Sequence, residues 1–166
     1  SWEKVCVSAS WHEGRRLGVL ATGSDVGMEH LRAQLKAKAE DGDPDSQVKL
    51  AVMCQQVGDE AAAAMWFEKA ACAGVATAQC NLGLIYLLGQ GVGVDAEEAV
   101  RWLRKASDQG LGTAQYYLGC LLQDGRGLRQ DSAAAVALFS MAASDGNVDA
   151  TAALGMAGSS GSPLVC

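Results

Sequence analysis

The chain has 166 residues, 49% of them hydrophobic, and a net charge of −6. Its Lys and Arg residues form no cluster, which excludes a nucleic-acid binder of the usual basic kind. No apolar run reaches the ~18–20 residues needed to cross a bilayer, although a partner within a membrane complex stays compatible. The sequence holds two prolines and is rich in alanine, a composition that favours helix.

Residues 1–27 carry two short β-leaning runs, Val5–Trp11 and Leu17–Thr22, around a polar turn at His12–Arg16. They predict an extended arm or a weak hairpin. Two strands alone are marginal in water, so the arm should lie on the rest of the chain or on a partner. From Met28 to Asp41 the pattern turns helical, with Met28, Leu31 and Leu35 on one face and Arg32, Lys36 and Lys38 opposite. Ser24 or Asp25 is its expected cap. Gly42 ends this capping helix (28–42) and is the first of four punctuating glycines, followed by Gly74, Gly110 and Gly146 at spacings of 32, 36 and 36. Each should supply the positive φ that closes a helix.

The glycines divide the chain into units at 43–74, 75–110 and 111–146, a partial unit at 147–158 and a flexible tail at 159–166. Ala78, Gln79, Leu82, Gly83, Gly89, Gly91, Asp95 and Ala99 recur 36 positions on as Ala114, Gln115, Leu118, Gly119, Gly125, Gly127, Asp131 and Ala135. Trp66, Lys69 and Ala70 precede Trp102, Lys105 and Ala106 by the same interval. A fixed period of this length signals stacked supersecondary units. The first unit has an internal loop four residues shorter, which accounts for its spacing of 32.

Within 75–110, a first helix at about Thr77–Leu88 should pack through Ala78, Leu82, Gly83 and Tyr86. A second helix capped by Asp95 should turn Ala99, Trp102, Leu103 and Ala106 inward and pair Glu97 and Glu98 with Arg101 outside. In 43–74, Asp59 is the matching cap, with Trp66 and Phe67 inward. The loop Gly89-Gln90-Gly91-Val92-Gly93-Val94 is not a phosphate cradle, because it joins two helices instead of following a strand.

The run from Ala78 to Gly110 resembles the Sel1-like repeat, a subclass of tetratricopeptide-type α/α repeats. Its pattern is A-Q-x-x-L-G-x-x-Y, then a Gly-rich loop, then D-x-x-x-A-x-x-W-x-x-K-A. The copy at 114–146 has Leu122 for the Tyr and Leu138 for the Trp, and the resemblance covers about 43–158. It implies an all-α fold, a right-handed α/α superhelix whose first helices line the concave side. It further implies an adaptor or scaffold without chemistry of its own.

On that geometry, one flank of successive first helices lines a groove. It consists of Val48, Val52 and Gln55, then Cys80, Leu84 and Leu87, then Tyr116, Cys120 and Gln123, then Met156 with Ala152. An apolar groove of this kind suits an amphipathic helix or extended peptide, unless the 1–27 arm fills it. Lys49, Asn81, Tyr117 and Ala153 occupy the steps where some tetratricopeptide proteins clamp a terminal carboxylate, and they do not form that clamp.

The helix Ser132–Ser144 carries no charge, and a helix apolar all round is normally covered on every side. Val136, Phe139 and Met141, with Leu154 from the next helix, are therefore expected to meet a partner at an uncapped end. The predicted function is a protein-interaction scaffold, most simply a subunit of a larger assembly.

Six cysteines fit no zinc spacing, and His12 and His30 stand alone, so no metal or cofactor is implied. No Ser/His/Asp or Cys/His set suggests catalysis, and Glu97 and Glu98 diverge on an outer helix. Cys54, Cys72, Cys80 and Cys120 read as small core hydrophobes. The alternative is a disulfide between Cys72 and Cys80 across the turn at Gly74. It would fit an exported protein similar to the cysteine-rich secreted members of the family, although those place the pair about one position away. A first residue other than Met suits a mature organellar (chloroplast or mitochondrial) subunit or a trimmed chain, with the bacterial periplasm or cytosol as alternatives.

Overall fold

The computed structural model describes residues 24–159, with side chains over 30–156. Within them the chain forms eight helices and no strand: α1 (Ser24–Glu40), α2 (Pro44–Val57), α3 (Glu60–Cys72), α4 (Ala76–Leu88), α5 (Ala96–Asp108), α6 (Gly112–Asp124), α7 (Ser132–Ser144) and α8 (Val148–Ser159). Each helix packs on its neighbours in the chain, so α2/α3, α4/α5 and α6/α7 are stacked hairpins. α1 precedes them as a lone second helix and α8 follows as a lone first helix. The hairpin expected in the N-terminal arm falls on residues 1–23, outside the described residues. Residues 24–27, expected in that arm, belong to α1, which begins at Ser24 itself.

Side-chain chemistry sets the helix ends. Asp43, Asp59, Asp95 and Asp131 cap α2, α3, α5 and α7 by accepting backbone N–H bonds, with Asp95 taking two, from Glu97 and Glu98, at 3.0 Å. Asn147 does the same for Ala150 at 2.9 Å. Val75 and Leu111, which open α4 and α6, make no such bond and pack into the core instead. Gly42, Gly74, Gly110 and Gly146 all have φ between 82° and 96°, the left-handed conformation that closes a helix.

The loops explain the two spacings. Asp95 N–H donates to Tyr86 O and Asp131 N–H to Leu122 O, each at 2.9 Å, closing the long loops. Asp59 N–H reaches Cys54 O at the same distance and closes the short one. Cys54, Tyr86 and Leu122 thus hold one register, and four residues are inserted after it. The inserted glycines do more than turn the chain. A Cβ on Gly91 would overlap the backbone of Glu60 and Ala61, and one on Gly127 would overlap Ala96. Each long loop therefore lies on the first turn of the preceding second helix.

The core has no single centre. It divides into three clusters that span α1–α4, α4–α6 and α6–α8. Within a hairpin the tightest contact is a large residue on a small one: a Cβ on Gly83 would come 2.7 Å from Leu103, and one on Gly119 would come 2.7 Å from Phe139. Between hairpins, buried Gln side chains act as ties. Gln47 Nε2 donates to Ala39 O at 3.0 Å, and Gln79 Nε2 to Ala71 O at 3.1 Å, satisfying carbonyls near the end of the preceding helix.

Candidate functional site

The flank read as an apolar groove is half closed. Cys80 is 1% exposed and shares a cluster with Leu87 and with Ala114, Tyr117, Leu118 and Leu121 of α6. Cys120 is likewise buried with Ala150 and Ala153 of α8. Successive first helices touch along this flank, so Cys80, Leu87 and Cys120 are core residues and cannot line a groove. Val48, Val52, Gln55, Leu84, Tyr116 and Gln123 are half-buried at its margin, and Met156 is open. Tyr116 is held by ring contacts to Tyr117 and Phe139, with centroids 5.3 and 5.7 Å away.

The surface that first helices do present lies further round and is mixed in character. Lys49 and Gln56 of α2, Thr77 and Leu88 of α4, and Thr151 and Met156 of α8 are exposed, with Asn81 and Leu84 half-exposed. Tyr117 and Ala153, at the clamp steps, are buried.

At the C-terminal end, α7 lies on α6 through Ala135, Phe139 and Ala142, all buried. Phe139, expected to meet a partner, fills the space over Gly119 and is core. Val136 and Met141 point away, the latter 51% exposed, and Leu154 is half-buried. Val148 and Met156 on α8 are also open, at 78% and 54%. The counterpart surface on α5 is charged. There Arg101 pairs with Glu98, and Lys105 Nζ sits 3.9 Å from the centre of the half-buried Trp102 ring. Lys69 covers Trp66 in the same way at 4.2 Å. Glu97 gives no pair with Arg101, contrary to expectation.

Cys72 and Cys80 are not joined by a disulfide. Cys72 ends α3 facing solvent, whereas Cys80 faces the interior between α4 and α6, so the two point into different surroundings. A hollow of about 370 Å³ lies beneath α1, lined by Arg32, Ala33, Lys36, Leu50, Cys54 and Trp66. Burial pushes the Cys54 thiol up and Asp59 adds to this, outweighing Arg32, so it is no activated nucleophile. Among the described residues no three His, Cys, Asp or Glu side chains gather as a metal site. No described helix is long and apolar enough to cross a membrane.

The chain is similar to known repeat proteins. The family model of the Sel1 repeat matches residues 44–75, 76–111 and 112–147. A Sel1 repeat protein from Oxalobacter formigenes superposes with a TM-score of 0.68 at 30% identity, over 75% of this chain and 96% of its own. A protective antigen of uropathogenic Escherichia coli with an SLR fold, c5321, gives 0.58 at 30% identity, over 75% of this chain but 35% of its own. Cysteine rich protein B of Helicobacter pylori shares the fold at 22% identity, with a TM-score of 0.61 over 80% of this chain and 97% of its own. No curated protein matches the chain. Sel1 repeat proteins generally serve as non-enzymatic scaffolds for protein–protein interaction.

Proposed function

The chain belongs to the Sel1 repeat family, and from that premise we propose that it is a non-enzymatic scaffold that holds a protein partner in a stable assembly. Two surfaces support the reading. One is the mixed face of the first helices, where Leu84, Leu88 and Met156 stand among Lys49, Gln56 and Asn81. The other is the outer side of α7 and α8.

The observation that carries the proposal is chemical. From Ser132 to Ser159 the only charges are Asp145 and Asp149, and Val136, Met141, Val148 and Met156 stay exposed. Covering apolar surface stabilises by about 25 cal/mol per Å² removed from water. A helix pair whose one charge is Asp149, on a stack whose other second helices are charged outside, is thus better matched to a protein surface than to solvent. A structural subunit suits this arrangement better than a transient adaptor. The free Cys72 and Cys80 lend the disulfide-stapled exported alternative no support.

The test is isolation of the chain from its native source under mild conditions, for wild type and for Met141→Lys and Val136→Glu. The expected result is a stoichiometric partner with wild type and its loss in both variants, with helix content unchanged. A wild-type chain that emerges alone, monomeric and soluble would sink the proposal.

A further inference from the structure

We propose that the outer side of α8 is a seat for α1 of a second copy of this chain, so that copies add head to tail into one continuous stack. The proposal rests on the reading of the C-terminal end as a docking surface, and names its occupant. It follows from register. The second and third hairpins each set a large residue of the second helix against a small one of the first: Leu103 over Gly83, and Phe139 over Gly119. The next small residue in that series is Gly155 of α8, and a Cβ there would meet nothing within 4 Å. The large residue at the other end of the series is Leu35, which stands in α1 where Phe67, Leu103 and Phe139 stand in α3, α5 and α7. Among the described residues no glycine lies against Leu35, which is half-buried, and Gly155 has no tenant.

Two further observations point the same way. Leu31 is 47% exposed although its register equivalents Ala63, Ala99 and Ala135 are buried. Met156 is 54% exposed, although its register equivalent Cys120 is buried against the next first helix, the place that α2 of the docked copy would take. Charge is complementary as well. The end of each second helix lies beside the start of its first, as the bond from Gln109 Nε2 to Gln79 Oε1 at 2.8 Å shows. Lys38, read from the sequence as lying opposite Leu31 and Leu35, stands seven residues on from Leu31 and shares their face. It replaces the buried Ala70, Ala106 and Ala142 and by that rule comes to the first turn of α8. There its stem covers the helix and its ammonium faces Asp149, the one charge on α8. The docked α1 would be followed by its own α2 as the next first helix, so the contact is heterologous and propagates.

Sedimentation velocity on the full chain over roughly a hundredfold range of concentration reads the prediction. Wild type should grow past the dimer as concentration rises. Gly155→Leu fills the seat where the chain's own fold leaves space, and Leu31→Glu places a charge on the opposite face. Each variant alone should stay monomeric with unchanged helix content. An equimolar mixture should form dimers and stop, because each variant keeps the end that the other lacks. A wild type that stays monomeric, or that stops at a dimer, overturns the inference, as does a mixture that fails to pair. If wild type is monomeric while a different protein co-purifies and is lost in Gly155→Leu, the docking surface stands and its occupant is that protein. If wild type polymerises and nothing else co-purifies, the copy itself is the partner and a foreign one is ruled out.

Discussion

Helices α5 and α7 are the same part made twice. Both have 13 residues, both begin at an Asp cap, and both press a large residue onto a glycine of the helix before. Facing outward they share almost nothing. α5 shows Glu97, Arg101, Arg104 and Lys105 to water, while α7 shows Ala133, Val136, Ala137 and Met141. Inward and outward faces are therefore written independently in this chain. Packing requirements fix the first, and the second is left to solubility or binding.

Truncation of the two inward anchors gives the largest effect and tests that independence directly. Leu103→Ala should cost about 2–5 kcal/mol and Phe139→Ala about 3–5 kcal/mol, read by urea unfolding. A Phe139→Ala loss well under half that of Leu103→Ala would mean that α7 is loosely held, and the equivalence of the two inner faces would fail.

Removal of the caps comes next. Asp95→Ala and Asp131→Ala should each cost about 1 kcal/mol. Asp95 should cost somewhat more, since it accepts bonds from both Glu97 and Glu98 and Asp131 accepts one, from Ala134. Equal thermal shifts in the two variants would show that the second bond adds nothing.

The smallest effect extends the comparison to the first hairpin. The Ser46 hydroxyl and amide both donate to Asp43, and they hold its carboxyl below the ordinary value of 3.8. A carboxyl lowered by folding contributes stability above its unfolded pKa, and that contribution disappears as pH falls through the folded value. Acid titration of thermal stability should therefore show a slightly steeper loss below about pH 4 in wild type than in Ser46→Ala. Superimposable curves would remove Asp43 from the acid response.

Much of this architecture was legible because the 36-residue period carries physical constraints with it. The four helix-closing glycines, the Asp caps and the inward Trp66, Phe67 and Leu103 all follow from turn chemistry and helical spacing. The groove was not legible, for a geometric reason. Periodicity tells which residues share a flank of α4, but not that this flank meets α6, so Cys80, Leu87 and Cys120 looked like surface. Phe139 misled differently: in a helix apolar on all sides, hydrophobicity cannot say which large residue goes inward. The glycine at 119, 20 positions earlier, was the available signal. The recurring Gln at 79 and 115 was visible as a landmark, yet the work of Gln79 on Ala71 needed the neighbouring helix in place.

The reach of the long loops also bears on mechanics. Gly91 and Gly127 latch their hairpins onto α3 and α5, so those joints resist splaying along that edge. The short turn at Gly58 extends no such latch, for a Cβ there would touch nothing within 4 Å. Bending strain on the stack is thus carried unevenly, and the joint between α1 and the first hairpin lacks the brace that the next two joints have.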